Sequence, residues 1–243
     1  MSHFTGHGKP IDKTIRAARA DLPWRLIILA GHYGSGKTHL AVNLALHMRR
    51  THDRVAVADL DIVNPYYRTK DAGTLLQGAG IRLISSALAG SNLDAPSMSA
   101  DAQVIFDDPG LYAVADVGGD DRGALALGRY ATKIKDHPSC AALFVYNQRR
   151  PLTARVPDAL DVLREIENAA HIAFAGLVNN TNIGPDTKPE DILESLPYAD
   201  ELSAACGLPV VLTSARRDMV PALEGKAENL FPIDIVHKTE WVL

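Results

Sequence analysis

The octet Gly31-His32-Tyr33-Gly34-Ser35-Gly36-Lys37-Thr38 constrains this chain more than any other stretch. It fits the pattern G-x-x-x-x-G-K-[ST]. The apolar run Leu26-Ile27-Ile28-Leu29-Ala30 precedes it, and His39-Leu40-Ala41-Val42-Asn43-Leu44-Ala45-Leu46-His47-Met48 follows. The first run reads as a buried parallel strand, and the second, apolar at helical spacing, as a helix. Strand, glycine-rich turn and helix in that order begin a βαβ unit, which commits the chain to an α/β fold. Glycines let the turn curl until successive N–H groups converge, and the helix adds the positive end of its dipole. An anion suits such a concavity. Lys37 is placed to reach the β- and γ-phosphates of a nucleotide, and the Thr38 hydroxyl to ligate magnesium. The expected nucleotide-binding residues are Gly31, Gly34, Ser35, Gly36, Lys37, Thr38 and His39.

Apolar runs continue to alternate with helical patterns downstream, the signature of a parallel sheet with crossover helices. Strands are expected over 26–30, 54–59, 81–85, 111–116, 141–146, 172–178 and 209–213. Helices are expected over 37–50, 70–78, 99–106, 122–135, 153–169 and 189–205, with a further short one within 220–229. The fold class is therefore α/β, a three-layer P-loop sandwich. Its twisted, mostly parallel sheet should have about seven strands with helices on both faces. Residues 1–24 read as an N-terminal extension with a short helix, and 25–243 as a single nucleotide-binding domain.

Bulk properties exclude several classes. The 243 residues are 47% hydrophobic and 22% charged, a globular composition. A net charge of −4 with scattered basic residues leaves no footprint for nucleic acid. No apolar run approaches the roughly 20 residues of a membrane span, and the charged N-terminus lacks the apolar core of a secretory signal. A cytoplasmic location with Cys140 and Cys206 as free thiols fits these features. The nine histidines show no metal-ligand spacing.

Two further strands end in carboxylates. Arg54-Val55-Ala56-Val57-Ala58 runs into Asp59-Leu60-Asp61, and Leu111-Tyr112-Ala113-Val114-Ala115 into Asp116-Val117-Gly118-Gly119. Burying such charges unpaired is costly, so a cation or a water chain is expected at the strand ends. Asp116 stands where a Walker B aspartate holds magnesium, and Asp116 with Gly119 has the D-x-x-G spacing of nucleotide switches. Taken together, the phosphate loop, Asp-x-Asp and Asp-x-x-Gly resemble the MinD/ParA/CobQ-type P-loop ATPases of the SIMIBI class. The text Asp-Leu-Asp-Ile-Val-Asn-Pro-Tyr-Tyr-Arg is similar to an uncharacterised bacterial branch of them. The resemblance implies that Lys37, Asp61 and Asp116 are catalytic, with Asp61 positioning or activating the hydrolytic water. It implies magnesium held by Thr38, Asp61 and Asp116, and a homodimer closed over two nucleotides. His32 departs from the pattern. MinD and ParA carry there a lysine that reaches the partner's nucleotide, and a histidine is shorter and largely neutral at pH 7. Arg68, Arg122, Arg149 and Arg150 lie in loops that could supply that charge.

The stretch Asn179-Asn180-Thr181-Asn182 follows the sixth strand without the lysine and aspartate that read guanine. The resemblance suggests Asn179 as a base contact and ATP as the nucleotide; an asparagine closing a loop is the alternative. Thr153 is a candidate helix N-cap, and Tyr66-Tyr67 either docks on a partner or packs inward. The expected function is Mg2+-dependent ATP hydrolysis driving a switch toward an unknown protein partner. The alternative is a small-molecule kinase or ligase of the dethiobiotin synthetase or cobyrinate amidase type.

Overall fold

The computed structural model describes residues 22–60, 69–85, 100–119 and 121–235. The expected N-terminal helix, Asp61, Tyr66-Tyr67 and Arg68 lie outside them, as does the side chain of Arg122. The strands are β1 (Leu26–Ala30), β2 (Val55–Leu60), β3 (Arg82–Ser85), β4 (Tyr112–Val117), β5 (Cys140–Tyr146), β6 (Gly176–Asn179), β7 (Val210–Arg216) and β8 (Leu230–Ile233). The helices are α1 (Lys37–Met48), α2 (Thr69–Gly78), α3 (Ala100–Asp107), α4 (Asp121–Gly128), α5 (Ala131–Asp136), α6 (Val156–Ala170), α7 (Pro189–Cys206) and α8 (Val220–Leu223). All eight strands join one sheet in the order β3-β2-β4-β1-β5-β6-β7-β8, every pair parallel. Since β1 sits between β4 and β5, the chain leaves it toward one side of the sheet and later returns on the other. That reversal opens the crevice at the carboxyl ends where ligands of open α/β sheets bind.

Alternation along the central strand builds two cores. Leu26, Ile28 and Ala30 face the layer of α3, α4, α6 and α7, whereas Ile27 and Leu29 face α1. All five are at most 1% exposed, as a strand covered on both faces requires. Asp59 and Asp116 pair in register across β2 and β4. Their positions alternate with Ala58 and Ala115 of the first core, so both carboxylates share the α1 side.

The sheet has one strand more than expected, and β6 begins at Gly176 and not at residue 172. Leu230-Phe231-Pro232-Ile233, just beyond the stretch 220–229 read as holding a short helix, forms the edge strand β8 against β7. An edge is where a strand proline costs no ladder bond. The helix there is only α8, ended before Gly225, whose φ of +73° reverses the chain. β7 also runs three residues further than expected, so Ser214, Ala215 and Arg216 are strand residues and not loop. The helix expected over 122–135 is two. α4 ends at Gly128, where a Cβ would lie 3.1 Å from the Ala169 carbonyl oxygen on α6. Tyr130 then turns inward and stacks on Phe106 with ring centroids 5.1 Å apart.

Candidate phosphate-binding site

The octet leaves the end of β1 and enters α1 through Gly36, whose φ of +86° is left-handed. A side chain there would be strained, and its Cβ would strike the Asn180 amide nitrogen. Gly36 caps α1 with no side-chain hydrogen bond, and the first turn of α1 contains no acidic residue. The initial N–H groups of the helix thus present their dipole to the concavity without an internal anion. Lys37, 3% exposed, folds back so that Nζ donates to the carbonyls of Gly31 at 2.8 Å and His32 at 3.1 Å. Ser35 Oγ is buried and has no hydrogen-bond partner among the described residues.

The acidic strand ends meet this loop. Thr38 Oγ1 donates to Asp116 Oδ2 at 2.5 Å, which brings the hydroxyl of the first helical turn onto the carboxylate one residue before the end of β4. Asp59, 7% exposed, lies beside Asp116 on the same face. Gly119 presses on the phosphate loop itself, since a Cβ there would be 2.5 Å from the Tyr33 nitrogen and 2.8 Å from its Cα. The D-x-x-G segment therefore touches the octet at both ends, through side chains at Asp116 and through backbone at Gly119. These features fit a nucleotide with Mg2+: a glycine cradle at a helix start for phosphate, and hard hydroxyl and carboxylate oxygens for the cation. Among the described residues no group of three or more His, Cys, Asp or Glu converges as a metal cluster of its own.

Other expected residues find different employment. Asn179, 1% exposed, donates from Nδ2 to Ser195 Oγ at 2.8 Å and accepts at Oδ1 from Thr181 N at 3.2 Å. It is Asn180 that reaches the octet, donating to the Ser35 carbonyl at 2.6 Å while accepting from Ser214 Oγ. His39 turns away along α1, its Nε2 bonded to the Asp234 carbonyl at 2.8 Å just beyond β8. His32 Nδ1 donates to the Tyr33 carbonyl at 3.0 Å. Thr153 does not cap α6, whose N-cap is Arg155; its hydroxyl donates to the Asn147 carbonyl at 2.6 Å, closing the turn after β5. Arg149 is engaged by Asp191 and Glu194 of α7. Arg150 reaches the octet instead, with Nε on the Gly34 carbonyl at 3.1 Å.

No family model matches the chain, and no curated protein matches it. Solved structures match it in fold. The signal recognition particle 54 kDa protein from Aeropyrum pernix, in complex with GDP, is 17% identical with a TM-score of 0.55, over 82% of this chain and 43% of that one. FtsY from Thermotoga maritima is 17% identical with a TM-score of 0.54, over 86% of this chain and 65% of that one. FlhF complexed with GMPPNP/Mg(2+) is 15% identical with a TM-score of 0.53, over 80% and 67%. The chain thus spans less than half the length of the first of these proteins. Likeness at such identities reports the fold alone, an α/β P-loop fold shared with these structures.

Proposed function

We propose that this chain binds a nucleoside triphosphate with Mg2+ at the octet 31–38 and hydrolyses it as a switch acting on a protein partner. The contact of Thr38 with Asp116 carries the reading, because it joins the phosphate loop to the D-x-x-G strand at an oxygen pair suited to a divalent cation. Bound there, Mg2+ would supply charge neutralisation for the phosphates. Lys37 would exchange its bonds to the loop carbonyls for phosphate oxygens, and the N–H groups opening α1 would orient them. Gly119, resting on Tyr33, is positioned to register any shift of the loop and pass it to α4. Asp61, the residue after β2, is proposed to orient the attacking water, as the MinD/ParA resemblance implies.

ATP is the proposed nucleotide, since Asn179-Asn180-Thr181-Asn182 offers no carboxylate to accept the paired donors of guanine. The GDP and GMPPNP in two of the similar structures favour GTP as the second reading. Calorimetry with ATP and GTP decides between them. Lys37→Ala should abolish binding of whichever nucleotide is taken, and wild-type affinity in that variant refutes the phosphate-loop assignment. Asp61→Asn should bind and not turn over. A pull-down with that variant held on nucleotide identifies the partner, and recovery of a metabolite in place of a protein would favour the small-molecule enzyme.

A further inference from the structure

The loop after β5 presents an arginine whose surroundings differ from those of the other well-placed arginines. Arg54, Arg149, Arg155, Arg216 and Arg217 each hold a carboxylate within 3.0 Å. Arg150 is exposed, and among the described residues no carboxylate lies within ion-pair distance of it. Among the described residues its side chain makes one hydrogen bond, from Nε to the Gly34 carbonyl in the middle of the phosphate loop. The guanidinium stem also lies along Gly34, where a Cβ would be 3.6 Å from Nε and 3.8 Å from Cδ. Nε on a neutral acceptor leaves the Nη pair, a planar fork whose geometry matches a phosphate.

Its root is rigid. β5 neighbours β1 in the sheet, so the turn after β5 falls beside the octet. Asn147, fully buried, fixes that turn: Oδ1 accepts from Arg149 N at 2.9 Å and Nδ2 donates to the Asn182 carbonyl at 3.0 Å. Arg150 N donates to the Asn147 carbonyl at 3.0 Å, and Tyr198 Oη ties down the Thr153 carbonyl at 2.8 Å. A long side chain on a braced turn, laid over an anion cradle and unmatched by any carboxylate of the described residues, is a preorganised anion contact.

We infer that Arg150 binds a phosphate of the nucleotide held by the octet of its own chain, a conclusion that rests on the nucleotide reading above. The test is calorimetry with ATP and with GTP at low and high potassium chloride, for wild type, Arg150→Ala and Arg150→Lys. Loss of one charge-assisted phosphate contact should weaken binding about tenfold or more in Arg150→Ala. The salt dependence of binding should also flatten there, because one screened attraction has gone. Arg150→Lys should keep the wild-type salt dependence and recover part of the affinity. Unchanged affinity in Arg150→Ala overturns the inference. So does weaker binding with an unaltered salt dependence, which would mean that the arginine only braces Gly34. Hydrolysis regained on mixing Arg150→Ala with Lys37→Ala chains would place the arginine on a second copy and overturn the same-chain assignment. Wild type that binds neither nucleotide overturns the underlying reading as well, a result distinct from failure of Arg150 alone.

Discussion

Replacing Asn180 by alanine removes the side chain that ties the sixth and seventh strands to the phosphate loop. Asn180 is 3% exposed, and its amide is engaged at both ends, by the Ser35 carbonyl at 2.6 Å and by the Ser214 hydroxyl. In the variant the Ser35 carbonyl loses the side-chain donor, at a cost of about 1–3 kcal/mol for an unsatisfied buried group. Ser214 loses less, because the Asn179 carbonyl lies 3.5 Å away as a substitute acceptor. The sum is about 2–4 kcal/mol, which for a domain of this size lowers Tm by about 5–12 °C. Thermal and urea unfolding of Asn180→Ala, Ser214→Ala and the double variant measure it. The double variant should cost little more than Asn180→Ala alone, since both changes break one network. A loss below about 0.5 kcal/mol, or strict additivity of the two changes, refutes the view that this amide braces the loop.

Other outcomes follow from the same geometry. Gly119→Ala would drive a Cβ to 2.5 Å from the Tyr33 nitrogen, so the D-x-x-G segment must part from the octet. Phosphate release should fall by an order of magnitude or more, with the circular dichroism spectrum retained; unchanged turnover would show that this contact carries no signal. At the opposite edge of the sheet, burial first and the neighbouring Arg25 charge second lower the pKa of His137. The folded state then binds fewer protons than the unfolded one. His137 accordingly contributes stability that is present above the ordinary histidine pKa of about 6.5 and is lost as pH falls through and below it. Urea unfolding between about pH 5 and 7 should show this slope in wild type and a flatter one in His137→Asn. Burial pushes the Cys140 thiol up to about 12, against a smaller opposing effect of Arg25, and also raises Cys206. Iodoacetamide at pH 8 should therefore label neither thiol in the native protein and both after denaturation, as mass spectrometry will show.

The octet was legible because its chemistry is local. Six consecutive backbone groups, a lysine and a hydroxyl make the cradle, and their spacing is written in eight adjacent letters. Asp116 was legible for a related reason, as a charge ending a run of residues otherwise suited only to burial. β8 was missed because four residues interrupted by Pro232 have too short a period to distinguish a strand from a helix end. Leu230 and Phe231 nonetheless sit in two different cores, the alternation a strand requires. The break between α4 and α5 was hidden because helical spacing continues through it; the close approach of the α6 backbone to Gly128, where α4 ends, is a tertiary fact.

The braces of the loop were illegible for a stronger reason. Asn180 lies 145 residues from Ser35, and Arg150 lies 116 residues from Gly34. Nothing in either local sequence separates such a residue from an asparagine closing a turn or an arginine in solvent. Strand order supplies the missing information. In a parallel sheet every strand delivers its following turn to the same edge, and lateral position then decides which turns touch. With β4 and β5 flanking β1, the turns ending in Gly119 and Arg150 must fall on either side of the octet. With β6 next in line, Asn180 comes up beneath Ser35 and Gly36. Asn179, one residue earlier, points its amide at Ser195 of α7, because successive side chains on a strand face opposite layers. Which of two adjacent strand-end residues reaches the octet is thus decided by the pleat, which the local sequence does not display.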